Sequence, residues 1–271
     1  MLKALKSKKG FAGVAVAVGV GVMAVMKQQE QPKKVVNIIA LHGEIGESSA
    51  ILGTSKTFNY DKMESIIVKS FENNPVAVAL SINSGGGSPA QSSMIMKLIK
   101  RQSIKKKIPV IAFVQDIAAS GGYMVALAAD EIYADEFSTV GSIGVVRSDF
   151  GFVGLLKELG IERRLMTSGN HKATMDPFSR VTEEEKKSEQ KKMDVMHKLF
   201  IDMVKTSRGD KLDKDHDYYN GDVWIGKDAV SNGLIDGIGY LAPVMLEKYG
   251  DDVTFVQFKS KEGLIKSLMG G

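Results

Sequence analysis

From Val35 onward the chain alternates compact apolar runs with longer stretches whose apolar residues recur at helical spacing. Val35–Leu41, Val76–Ile82 and Pro109–Val114 are nearly continuous apolar runs of the length and β-branched content expected of buried strands. Between them, the pattern predicts helices from about Tyr60 to Asn73 and from Ser88 to Lys107, with Pro89 in the first turn, where proline is tolerated. Ser120–Ala129 has helical spacing, Glu131–Ala134 reads as a short strand and Ile161–Thr167 as a further strand. A long charged helix is predicted over Glu183–Lys205. Short helices over Gly226–Asn232 and Ala242–Tyr249 and a last strand over Val253–Phe258 complete the pattern. Buried strands alternating with helices define an α/β architecture with parallel pairing and crossover helices.

Ahead of this region the pattern differs. A basic stretch, Met1 to Lys9, precedes an apolar run from Phe11 to Met26 that Lys27 closes. As a helix that run would be about 24 Å long, a little short of the ~30 Å hydrocarbon core, and flanking lysines that snorkel could make up the difference. A cleaved signal peptide has the same basic head and apolar run, but the Ala15-Val16-Ala17 triplet sits inside the run rather than at its end. A buried soluble helix fits poorly with so many Gly and Val residues. The expectation is a retained single-pass anchor. Positive charge before the span puts the head in the cytoplasm and the remainder on the extracytoplasmic side of the cell membrane. Gln28 to Lys34 is a polar linker.

Composition adds limits. With 271 residues, 44% of them hydrophobic and 25% charged, the chain can bury a full core. The net charge of +4 owes much to the lysines of the head, so charge makes no case for nucleic-acid binding. The absence of cysteine removes disulfides, thiolate metal sites and cysteine nucleophiles. No metal or cofactor is expected.

Two glycine clusters fall at the carboxyl ends of strands, where sites gather in α/β folds. Asn83-Ser84-Gly85-Gly86-Gly87-Ser88 opens one helix, and Ala118-Ala119-Ser120-Gly121-Gly122-Tyr123 opens the next. The first lacks the Gly-Lys-Ser/Thr ending of a phosphate loop and forms no GxGxxG; it serves equally as a packing turn or as a source of free amides for an oxyanion. Ser120 in the second is either a helix cap or a nucleophile on a strand-to-helix elbow, although GxSxG itself is absent. Two such turns on successive units can supply a nucleophile and an oxyanion donor to one carbonyl. A serine also needs a base. His197 on the charged helix and His216 in an acidic stretch read as solvated; His42 and His171 remain open, as does a lysine made neutral by burial.

These pieces together resemble the signal peptide peptidase A family of Ser-Lys serine proteases. Beyond the two glycine clusters they are Val140-Gly141-Ser142-Ile143-Gly144-Val145, Ser168-Gly169-Asn170-His171-Lys172-Ala173 with Pro177-Phe178, Val223–Ala229, and Gly233-Leu234-Ile235-Asp236. The resemblance runs from about Val35 to Gly239. It implies a Clp protease/crotonase-like fold of stacked ββα units, with Ser120 as nucleophile and Lys172 as base. It further implies Ser142 as the hydroxyl that orients the lysine, and Gly87 and Gly121 as oxyanion amides. Gly85 departs from the family's usual Pro and Asp176 from a common Ser. Implied partners are peptides such as cleaved signal peptides, the membrane, and further copies in a homo-oligomeric ring. The chain then divides into a basic head (1–10), an anchor (11–26), a linker (27–34), a Ser-Lys protease domain (35–258) and a tail (259–271). A crotonase-like acyl-CoA enzyme and a non-catalytic membrane scaffold are the rival expectations. The crotonase-like reading gives no reason for Ser120 and Lys172 together.

Overall fold

The computed structural model describes residues 34–47 and 56–258. The expected anchor, most of the linker and the tail lie outside them. In chain order the described elements begin with β1 (Val35–His42), β2 (Glu44–Ile45), β3 (Thr57–Phe58), α1 (Tyr60–Ser70), β4 (Ala77–Ser84) and α2 (Pro89–Lys106). They continue with β5 (Val110–Ala119), α3 (Gly121–Ala126), β6 (Glu131–Ala134), β7 (Thr139–Gly141), α4 (Val153–Glu158) and α5 (Glu183–Arg208). The last are β8 (Val223–Ile225), α6 (Gly226–Ser231), β9 (Gly237–Ile238), α7 (Leu241–Tyr249) and β10 (Thr254–Gln257).

The main sheet runs β10-β1-β4-β5-β6-β9, with parallel neighbours along that path. Its central strands are apolar on both faces because both faces are covered. Val78, Leu80 and Ile82 of β4 face one way, joining Ile39 and Leu41 and the buried residues Ile67 of α1, Ile95 and Ile99 of α2 and Phe200 of α5. Ala77 and Ala79 face the other way, with Val36, Ile111 and Phe113, under Val244 and Met245 of α7. The period of two along the strands thus builds two cores on one sheet. Truncating a side chain such as Leu80, fully buried, would cost roughly 2–5 kcal/mol.

Helix starts follow the chemistry of their first residues. Asn59 caps α1 by accepting from the Lys62 amide at 3.0 Å. Ser88 caps α2 with Pro89 in the first turn. Thr182 and Glu185 form a reciprocal capping box that starts α5.

Near the site the ladder becomes irregular. Ile82 pairs with Val114, but Ser84 pairs with Ala118, so β5 bulges over Gln115–Ile117. The bulge re-aims the end of β5 and lets its last residues pair with β7, Ala119 opposite Gly141.

Several expectations need correction, among them the first helix, which ends at Ser70 rather than Asn73. Ile161–Thr167 forms no strand: it is exposed chain with Met166 94% accessible, and no neighbouring strand offers it a ladder. The helix that follows Ser120 ends at Ala126 rather than Ala129. The charged helix α5 continues to Arg208, because Val204 and Arg208 in its last turns are buried. Among the described residues no helix is long and apolar enough to cross a membrane.

Candidate active site

The site is built where β4 and β5 run out into their glycine turns. Ser120 follows β5 directly and holds φ +50° and ψ −121°, a backbone conformation that costs a non-glycine residue energy. Neighbouring bonds fix it there. Its amide donates to the Gly141 carbonyl at 2.8 Å, and its carbonyl accepts from the Met124 amide at 2.9 Å. Ser120 occupies the N-cap position of α3, yet its side chain makes no capping hydrogen bond. The helix-cap reading therefore fails, and the hydroxyl is left half-exposed on a sharp strand-to-helix turn.

The Ser84–Ser88 loop closes over this turn. Gly87, at φ +141°, lies against the Ile45 carbonyl, where any side chain would collide. Ile45 donates to the Gly86 carbonyl at 2.8 Å and accepts from the Ser88 amide at 2.7 Å, so β2 clamps the loop on both sides of Gly87. The Gly87 amide itself takes no part in those hydrogen bonds. At Gly121 a Cβ would meet the Ser92 hydroxyl and stand 3.3 Å from the Gly87 nitrogen; at Gly86 it would stand 2.8 Å from the Gly121 nitrogen. The Gly87 and Gly121 amides are thus neighbours beside Ser120. Neither has a hydrogen-bond partner among the described residues. Two free donors next to a half-exposed hydroxyl can polarise a carbonyl and hold the oxyanion formed on attack.

Ser142 follows β7 on the other side of Ser120, also in the left-handed region at φ +51°. Its amide donates to the Asp222 carbonyl at 2.7 Å, while the preceding Gly141 accepts from Ser120. One short strand therefore carries both an anchor for Ser120 and the Ser142 turn. Lys172 lies in a turn where its amide donates to the Gly169 carbonyl at 3.2 Å. Its side chain is exposed, and it makes no hydrogen bond with Ser120. Ser120, Gly87, Gly121 and the Ser142 turn come together; Lys172 stands apart from them in hydrogen-bonding terms.

The histidines are now placed. His42 Nε2 lies 3.0 Å from Ser81 Oγ on β4, and burial, with the Lys56 charge nearby, pushes its imidazole below the ordinary value. His171 is exposed. His216 pairs with Asp213 at 3.0 Å. His197, expected in solvent, is instead half-buried and donates from Nε2 to the Ile143 carbonyl at 3.1 Å. No spacing in the sequence signals that contact, which joins two distant segments. Asp176 pairs with Arg163, a structural use for the residue that departs from the family pattern. Among the described residues no group of His, Asp and Glu could hold a metal ion.

A parallel α/β core thus carries a strained serine at a strand-to-helix elbow beside two free amides, an arrangement that suits a nucleophile and its oxyanion pocket. The comparisons name the family. Residues 102–250 match peptidase family S49. A signal peptide peptidase SppA homologue of Enterococcus faecium is 33% identical over 248 residues, which cover 88% of this chain and 71% of the relative. The chain belongs to peptidase family S49. It is also similar to a protein named Na(+)/H(+) antiporter NhaA of Brucella abortus, 41% identical over 235 residues, 86% of this chain and 32% of that protein. The chain thus spans about a third of the length of that relative. Among solved structures, an alanine mutant of the 1510-N membrane-bound stomatin-specific protease has the same fold, at a TM-score of 0.51 and 16% identity, with 85% of this chain and all of the other covered.

Proposed function

We propose that this chain is a membrane-anchored serine endopeptidase that works through a Ser120/Lys172 dyad. The observation that carries the reading is the convergence of Ser120 with the free amides of Gly87 and Gly121. In the proposed reaction, Lys172 Nζ takes the hydroxyl proton as Ser120 Oγ attacks a peptide carbonyl carbon. The carbonyl oxygen becomes an oxyanion held by the two amides. The C–N bond then breaks, and Lys172 returns the proton to the leaving amine. Water, giving a proton to the same lysine, attacks the acyl carbon; the C–Oγ bond breaks and the lysine returns the proton to Ser120 Oγ. Ser142 would orient the lysine.

Several features support the finer points. The run from Phe11 to Met26 behind a basic head supports an anchor over residues 11–26 with the protease domain, 35–258, on the extracytoplasmic side. An anchored peptidase would meet peptides left in or near the bilayer, such as cleaved signal peptides. Assembly with further copies, as a ring, is supported by large exposed apolar side chains between residues 145 and 181, Val146 (87%) and Phe150 (79%) among them. Ser120→Ala and Lys172→Ala should each abolish peptide hydrolysis in protein that still melts cooperatively. Full activity in either purified variant would overturn the dyad.

A further inference from the structure

The segment that leaves β7 passes from Ser142 through Ile143 and Gly144 to Arg147 without helix or strand. Its first residue sits at φ +51°. A non-glycine residue held there needs surrounding structure to keep it, because relaxation to negative φ releases energy. On one side the Asp222 carbonyl holds the Ser142 amide. On the other side stands α5.

Helix α5 grips this segment at two points. His197 meets the Ile143 carbonyl at 3.1 Å, and Glu189 meets Arg147 Nη1 at 2.8 Å. The spacings agree. Extended chain from residue 143 to 147 covers roughly 13 Å, and a helix from 189 to 197 rises about 12 Å. The segment therefore runs antiparallel along α5, pinned at both ends. A carbonyl oxygen only accepts, so the proton lies on His197 Nε2. Ile143 is buried. Without His197 its carbonyl would lose its partner in a place that water reaches poorly.

We propose that His197 is a positioning residue for peptide hydrolysis, holding the Ser142–Ile143–Gly144 turn in place so that the Ser142 hydroxyl can receive the catalytic base. The inference rests on the role given above to Ser142. His197 touches neither substrate nor nucleophile and acts through the turn. Loss of its donor frees Ser142 to leave the left-handed conformation, and the lysine loses its guide while the peptide-binding surface stays in place. The effect belongs on the chemical step rather than on substrate binding.

The test uses the full chain in detergent and a fluorogenic peptide. His197→Phe keeps a ring but no donor, whereas His197→Gln puts an amide donor at similar reach. The phenylalanine variant should lose about tenfold or more in kcat with KM within about twofold, and glutamine should restore most of the loss. His197→Glu, which matches glutamine in shape but offers no donor when ionised, should behave like phenylalanine and covers the case of a phenylalanine variant that does not fold. Wild-type kcat in both donor-free variants, or a glutamine variant as impaired as they are, would overturn the proposal. Ser120→Ala run alongside separates the two readings. Hydrolysis that survives it removes the dyad, while Ser120-dependent hydrolysis indifferent to residue 197 removes only the positioning role.

Discussion

A methyl group on Gly121 would overlap the Ser92 hydroxyl, which donates to the Ser88 carbonyl at 2.8 Å, and would crowd the Gly87 amide. The two donors of the oxyanion pocket can lie side by side only because no side chain separates them. Gly121→Ala should lower kcat by roughly two orders of magnitude, the scale of losing one oxyanion donor. Adding Ser92→Ala, which removes the obstructing hydroxyl, should recover part of the rate in a steady-state assay. An alanine variant with unchanged kcat would show that Gly121 is only a packing turn. At this scale the sequence is legible in part. Small residues around Ser120 and a glycine run after the preceding strand mark the turns, but not that Ser120 would hold φ +50° with its hydroxyl free of the helix it precedes.

Among the elements, α5 joins the site to the rest of the core. Its first turns carry the capping box and Glu189, its middle carries His197, and its last turn buries Arg208, only 3% accessible. Arg208 donates to the Gly233 carbonyl and pairs with Asp236 at 2.6 Å; Asp236 in turn accepts from the Ile132 amide at 2.8 Å. This carboxylate ties α5, β6 and the turn before β9 together. Burial works against its charge, but hydrogen bonds from Arg208, Lys211 and the Ile132 amide outweigh it and hold the Asp236 carboxyl below its usual value. Its folded value is the lower one, so the stabilisation is present in full above the unfolded carboxylate's range. It disappears as pH falls through the folded value. Asp236→Asn leaves Arg208 buried beside a neutral group and should cost about 3 kcal/mol at neutral pH. Thermal melts between about pH 6 and about pH 3 should show a shallower acid dependence in the variant than in the wild type. Parallel curves would place the linkage elsewhere. The Gly-Leu-Ile-Asp motif was legible as a family signature, and its physical task is this ion pair.

For the whole molecule, the 145–181 region differs from the packed sheet. Phe152 packs between Phe150 and Phe178, with ring centroids 6.4 Å and 5.6 Å away, and Arg163 lies over Phe178. Yet Val146, Phe150, Leu159 and Met166 remain open to solvent. Water disfavours that much apolar surface unless something covers it. If further copies cover it, Met166→Glu combined with Phe150→Asp should lower the mass of the particle measured by light scattering, while leaving the melting temperature of the fold within about 4 °C. An unchanged particle mass would mean that this surface is not the contact.

The sequence alone determined what depends on near neighbours along the chain. Continuous apolar runs made β1, β4 and β5, Pro89 marked the first turn of α2, and small residues marked the two turns at the strand ends. Short elements escaped it: β7, β8 and β9 are two or three residues long and exist only because a partner supplies their hydrogen bonds. The apolar residues of Ile161–Thr167 suggested a strand, but no partner came within reach. Tertiary structure alone decided that the Gly87 and Gly121 amides meet, that Ser120 is held at positive φ by a carbonyl from β7, and that His197 leaves solvent for the Ile143 carbonyl. Each joins segments far apart in the chain, and folding sets their distance while local residue preference does not.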